Sequence, residues 1–122
     1  MRTFFKNINE RAFEAIKKGG KKVEIRANEN IFSDNSINLM QIEDLIIFKK
    51  NGTTEKIKCV VKRKTLYKTV RTLLENEGTE YTLSSTNDIE EGIRSIESIE
   101  NYQELIAKNG VFAIELKDVK LM

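Results

Sequence analysis

A lysine, a glutamate and an arginine recur in fixed phase along Gly19-Gly20-Lys21-Lys22-Val23-Glu24-Ile25-Arg26. Successive side chains of a strand point to opposite faces, so Lys22, Glu24 and Arg26 fall on one face and Lys21, Val23 and Ile25 on the other. A carboxylate flanked by two cations suits a polar ligand with both negative charge and donor groups, such as a nucleotide or an RNA strand. Glu24 would accept from an exocyclic amine, as carboxylates do from cytosine, while Arg26 would clamp a phosphate or stack on a base. Lys21, desolvated in a cleft, would lose basicity and act as a base or grip phosphate. Its strand parity is opposite, but directly after Gly20 the strand need not be regular, so Lys21 is expected at the same cleft mouth as Glu24 and Arg26. The same charges also fit an ordinary solvated strand face, with Lys21 offsetting a helix C-terminus.

A second cationic cluster, Lys62-Arg63-Lys64 followed by Tyr67-Lys68 and Arg71, holds one aromatic among its charges. That mixture suits a single strand, with phosphates on the cations and a base on the ring; a solvated strand end has the same composition. The hydroxyls from Thr82 to Thr86 read as a flexible loop. Glu90, Glu91, Glu97 and Glu100 make an acidic segment that should face away from nucleic acid or contact another protein.

Composition narrows the chemistry. With no histidine and one cysteine in 122 residues, Ser-His-Asp triads, Cys-His dyads and His- or thiolate-ligated zinc are excluded. No metal site and no cofactor is expected. Cys59 lies in the apolar run Ile57-Lys58-Cys59-Val60-Val61 and reads as a small buried hydrophobe. A net charge of +2 is too small to mark a nucleic-acid binder, so any basic surface must come from local clustering. The absence of a long apolar run or a signal-peptide pattern makes a cytoplasmic, reduced setting without membrane contact the expectation.

The elements that must position these residues follow from periodicity. Thr3-Phe4-Phe5 reads as a first strand or a lead-in. Asn9 caps a helix carrying Ala12, Phe13, Ala15 and Ile16, stopped by Gly19-Gly20. A strand at 22–27 precedes a polar loop from Asn28 to Gln41, and Leu45-Ile46-Ile47-Phe48 reads as a central strand. Asn51-Gly52 signals a hairpin into a strand at about 55–64. Helices at about 68–76, 88–95 and 99–108 follow, then a closing strand at Val111–Leu116. One α+β domain over 1–122 results, a small curved sheet or barrel with helices at its ends.

At this level the chain resembles the ASCH domain family, a branch of the PUA-like superfamily, and in particular its small bacterial single-domain members. Gly19-x-Lys21-x-x-Glu24-x-Arg26 is similar to the family signature. Asp44-Leu-Ile-Ile-Phe48 fits its next strand, and Tyr102 with Gly110-Val-Phe-Ala-Ile-Glu115 fits its closing segment. The resemblance implies a PUA-like barrel, mostly antiparallel with about five to six strands, and a cleft beside the signature strand that binds RNA or modified nucleotides. One branch hydrolyses acetylcytidine with a threonine nucleophile activated by a lysine and a later glutamate. Here Lys21 is kept but the threonine position is Glu24, and Glu75 or Glu77 falls near the third member. Glu43-Asp44 stands where the family often has Gly-Asp, so the turn there is expected to differ, and Lys22 stands where it often has Thr.

The leading expectation is an RNA- or nucleotide-binding module with Lys21, Lys22, Glu24 and Arg26 at a charged cleft and Lys62, Arg63, Tyr67 and Arg71 extending the surface. Two other readings stay open. One is a small amidohydrolase for an acylated nucleoside, with Lys21 as base and Glu24 polarising water. The other is a protein-interaction module, in RNA metabolism or transcription regulation, using the acidic helices. The ligand's identity and the oligomeric state are not written in the sequence.

Overall fold

The computed structural model describes residues 1–122, and its first strand, β1 (Thr3–Ile8), passes into helix α1 (Glu10–Lys18) through Asn9. The Asn9 side chain accepts from the Ala12 amide at 2.8 Å, satisfying one of the amides a helix start leaves without a partner. Ala12, Phe13 and Ile16 form the buried face of α1, and Gly19, at φ 86°, ends it with the left-handed turn that glycine adopts without strain. Strand β2 (Val23–Ala27) follows, then a long polar segment containing a single 3-10 turn at Ile37–Leu39. Strands β3 (Leu45–Lys50) and β4 (Lys56–Tyr67), helices α2 (Val70–Glu77), α3 (Ile89–Glu97) and α4 (Tyr102–Asn109), and strand β5 (Val111–Leu121) complete the chain.

The five strands form one mixed, curled sheet in the order β1-β3-β4-β5-β2, a half-barrel in an α+β fold. β3–β4, β4–β5 and β5–β2 are antiparallel, whereas β1 pairs with β3 in parallel. Register shifts in β4 at Lys58/Val60 and Val61/Arg63 mark irregularities that let this 12-residue strand bend. β4 and β5 both extend beyond the sequence expectation because they pair with each other from Ile57↔Leu121 to Tyr67↔Val111. The hairpin at Asn51-Gly52 has a four-residue turn, since the Lys50 amide bonds the Glu55 carbonyl at 3.0 Å.

Two apolar clusters lie on opposite faces. Phe4, Phe13, Ile46, Phe48, Ile57, Cys59, Phe112 and Ile114 fill one side against α1, while Val23, Ala27, Val111 and Ala113 pack the other side against α2, α3 and α4. β5 contributes to both by strict alternation, which explains its unbroken run Val111-Phe112-Ala113-Ile114. Cys59 is fully buried, as its apolar surroundings predict, and burial followed by the charge of Glu24 pushes its thiol up to about 12. Glu43 keeps the left-handed backbone a glycine would take, at φ 72°, and its carboxylate reaches Lys117 at 2.6 Å. The following Asp44 is buried and accepts from the Arg2 amide at 2.9 Å and the Gln41 amide at 2.8 Å, tying this turn to the N-terminus.

Gly110 is where the fold depends most directly on glycine. Its φ is 90°, and an added Cβ would stand 2.6 Å from the Tyr67 carbonyl oxygen. Gly110→Ala should lower stability by about 1–3 kcal/mol from backbone strain alone, with the carbonyl contact adding to the loss; the urea unfolding midpoint measures it.

Candidate functional site

The two edges of the curled sheet, β1 and β2, do not pair with each other. Side chains of the signature segment serve main-chain groups there instead. The Lys21 ammonium donates to the Val23 carbonyl at 2.8 Å and the Thr82 carbonyl at 2.6 Å, and lies 3.6 Å from Glu24. Glu24 accepts from the Ile25 amide at 3.2 Å and from Arg26 Nε at 3.0 Å, with Arg26 Nη2 at 2.9 Å. Arg26 Nη2 then donates across the gap to the Asn7 carbonyl of β1 at 3.1 Å. One arginine thus spans the opening between the strands.

Lys21 and Glu24 are only 5% and 6% exposed, so solvated strand charges do not describe them. Burial lowers the Lys21 pKa, opposed by Glu24. For Glu24, burial would favour the neutral acid, but the Arg26 guanidinium and then Lys21 more than offset it, holding the carboxyl below its ordinary value. Burial works against the Arg26 cation too, and Glu24 reverses that, raising its pKa.

Lys21, Glu24 and Arg26 line one cleft of about 350 Å³, together with Asn7 and Asn9 at the end of β1, Tyr102 of α4, Thr82, Ser84 and Ser85 of the loop before α3, and apolar side chains including Leu83 and Ile96. Lys21 reaches this mouth despite its parity because regular strand begins only at Val23. Lys22 is the member that departs. It is exposed and lies over the Tyr81 ring at 4.6 Å, away from the cleft. The hydroxyl stretch that reads as a loop is in fact a wall of the cleft, because the Tyr81 carbonyl accepts from the Lys22 and Val23 amides at 2.8 and 3.1 Å. Nothing in its composition distinguishes it from other serine-rich loops; contacts at long sequence separation, these and the Lys21 bond to the Thr82 carbonyl, bring it to the site.

The expected extension through 62–71 is not continuous with the cleft, whose lining includes none of its cations. Arg63 donates to Glu77 at 2.5 and 2.9 Å and to Glu115 at 3.0 Å, and the Tyr67 hydroxyl donates to Glu77 at 2.5 Å. Lys64 donates to the Ile37 carbonyl at 2.9 Å, and Arg71 pairs with Glu90 at 2.8 Å. Lys62 remains exposed, 3.4 Å from Glu115. Arg63, whose side chain is 39% exposed, and Tyr67 therefore brace the buried Glu77 carboxylate. This also removes Glu77 as a third member beside Lys21 and Glu24, and Glu75 is exposed on α2 and absent from the lining.

The carboxylate-centred charges imply a definite pH response. Glu24 titrates lower in the folded chain than its unfolded value of about 4.3, so its contribution is complete above that value and is lost as pH falls through the folded one. Glu24→Gln should cost about 3 kcal/mol at pH 7 by leaving buried Lys21 and half-buried Arg26 undercompensated and flatten the acid limb of stability against pH. Lys21 has the opposite sign. Its lowered folded pKa penalises folding at neutral pH, and that penalty is relieved as pH rises through the folded value towards about 10.4. Urea unfolding at a series of pH values checks both limbs.

The comparisons with known proteins agree with this architecture. The ASCH domain family model matches residues 7–120. The crystal structure of hypothetical protein PH0355 is 30% identical, with a TM-score of 0.75, covering 98% of this chain and 99% of that one. The solution structure of protein PF0455 from Pyrococcus furiosus is also 30% identical, with a TM-score of 0.66 over 94% of this chain and 96% of the other. The crystal structure of ASCH from Zymomonas mobilis, at 20% identity and a TM-score of 0.66, shares the fold over 98% of this chain and 70% of its own. No curated protein matches. No helix is long and apolar enough to cross a membrane. With the matched span taking in β2, the cleft walls and the closing strand, the chain belongs to the ASCH domain family and carries its PUA-like fold.

Proposed function

We propose that the cleft between β1 and β2 binds a nucleotide-sized anionic ligand, either a free nucleotide or one residue of an RNA strand, in a cytoplasmic setting. The observation that carries this reading is the divided use of Arg26. Its Nε and Nη2 are occupied by Glu24 and Asn7, whereas Nη1 donates to no protein atom. No buried side-chain nitrogen or oxygen lacks a partner, so this unpaired Nη1 is accessible. A guanidinium fixed on one side and open on the other is preorganised to receive a phosphate oxygen, since little side-chain freedom is left to lose.

Glu24 takes a different role from the one its sequence position suggests. Both its oxygens already accept from Ile25 and Arg26, with Lys21 alongside, so it positions Arg26 instead of reading an exocyclic amine. Recognition of the rest of the ligand falls to Tyr102, Asn9 and the hydroxyls of Ser84 and Ser85 along the lining. A cleft of about 350 Å³ lies in the range of small-molecule sites.

The hydrolase reading is supported less well. Position 24 has no hydroxyl, and Lys21 donates as an ammonium to the Val23 and Thr82 carbonyls beside Glu24, a form with no lone pair to take a proton. Acetylcytidine should therefore show no turnover above the buffer rate. Robust hydrolysis by the unmodified chain, lost in Lys21→Ala, would overturn this preference.

For binding, a nucleoside monophosphate should bind at least about tenfold tighter than its nucleoside, a difference of about 1.4 kcal/mol. Arg26→Ala should erase that difference. Isothermal titration with the four ribonucleoside monophosphates tests this, and absence of binding by all four sinks the nucleotide reading.

A further inference from the structure

Two Asn-Gly pairs stand in the sequence, Asn51-Gly52 and Asn109-Gly110, and folding places them in opposite environments. Asparagine is among the chemically labile residues, most of all before glycine. With no side chain on the next residue, the following main-chain nitrogen approaches the asparagine carboxamide without hindrance. In a folded chain the reaction then depends on whether the two groups are free to meet.

At Asn109 they are not. The Gly110 amide donates to the Ile106 carbonyl at 2.8 Å, and the Asn109 carboxamide donates to the Asn28 carbonyl at 3.0 Å. Asn28 returns a bond to the Asn109 carbonyl, also at 3.0 Å. Nucleophile and electrophile are both held. Asn51 and Gly52, at the tip of the β3–β4 hairpin, are both exposed. The bonds at this tip run from the Thr53 amide and hydroxyl to the Lys50 carbonyl at 3.1 and 3.0 Å, and from the Asn51 main-chain amide to the Ile8 carbonyl at 2.8 Å. None uses the Asn51 carboxamide or the Gly52 amide. The space around Gly52 is open, with no atom within 4 Å of where a Cβ would stand.

We infer that Asn51 is a site of spontaneous deamidation that places a carboxylate on the wall of the cleft. The Gly52 nitrogen attacks the Asn51 carboxamide carbon and closes a succinimide ring. The bond from that carbon to the side-chain nitrogen breaks, and ammonia leaves with the proton from Gly52. Water then opens the ring at either carbonyl, giving aspartate or isoaspartate, with no oxidant or reductant involved. Asn51 lines the same cleft as Asn7 and Arg26, so a neutral wall becomes anionic. Isoaspartate also adds a main-chain carbon inside the turn that the Thr53–Lys50 bond closes. A weaker grip on phosphate follows, and this consequence rests on the anion-binding reading of the cleft; the chemistry at Asn51 does not.

Peptide mapping by mass spectrometry after incubation in mildly alkaline buffer tests the modification, on the native chain, on the chain unfolded in urea and on Asn51→Gln. The native chain should gain the mass difference between an amide and an acid at Asn51 and not at Asn109. Isoaspartate, detected by isoaspartyl methyltransferase labelling, should be the larger product. Urea should bring Asn109 to a rate comparable with Asn51, and Asn51→Gln should keep its mass at that position. No conversion at Asn51 in the native chain, or conversion at Asn109 equally fast there, would overturn the assignment. Titration with a nucleoside monophosphate then compares the unmodified chain with Asn51→Asp, which should bind about threefold more weakly, the effect of one added like charge across a solvated cleft. Equal affinities would overturn the charge effect. Absence of binding by both proteins would instead sink the cleft reading, while the mass map still decides the modification.

Discussion

The two edges of the sheet never meet, and Arg26 is the side chain that reaches across the opening between them. A fully closed barrel would satisfy both edges with main-chain bonds and leave no slot. Here the guanidinium joins β2 to the Asn7 carbonyl of β1, and the cleft lies along that incomplete seam. Glu24 makes the arrangement tolerable. Without its carboxylate, Lys21 and Arg26 would be two neighbouring cations in a largely dry site, which is costly.

Lys21 ties the same cluster to a distant part of the chain. Its ammonium holds the Val23 and Thr82 carbonyls together, so the loop before α3 is fastened to the start of β2. One charged cluster thus sets strand separation, loop position and the orientation of the open edge of Arg26. A buried charge cluster adds little net stability; what it supplies here is a fixed geometry at a place where regular pairing stops.

The Arg63–Glu77–Glu115 network follows similar logic on another part of the sheet. The Glu77 side chain is 6% exposed and needs donors, which Arg63 and Tyr67 supply. Cations that look available in the sequence are consumed by carboxylates brought near by folding. Lys62 likewise shares Glu115 with Arg63, at 3.4 and 3.0 Å.

The sequence alone determined the element types, because capping at Asn9, the glycine stop at Gly19 and the apolar runs of β3 and β5 are local signals that tertiary packing did not override. It also determined that Lys21, Glu24 and Arg26 lie together, since they sit within six residues of one another. Their resemblance to the ASCH signature points to the family that the comparisons show. What only the tertiary structure decided is the partner of each charge. Ion pairing depends on which strands adjoin and on which side chains are buried, and those are long-range facts. The parallel pairing of β1 with β3, the recruitment of Ser84 and Ser85, the diversion of Lys22 and the use of Arg63 and Tyr67 to brace Glu77 all depend on contacts between segments far apart in the chain, which short-range periodicity does not encode.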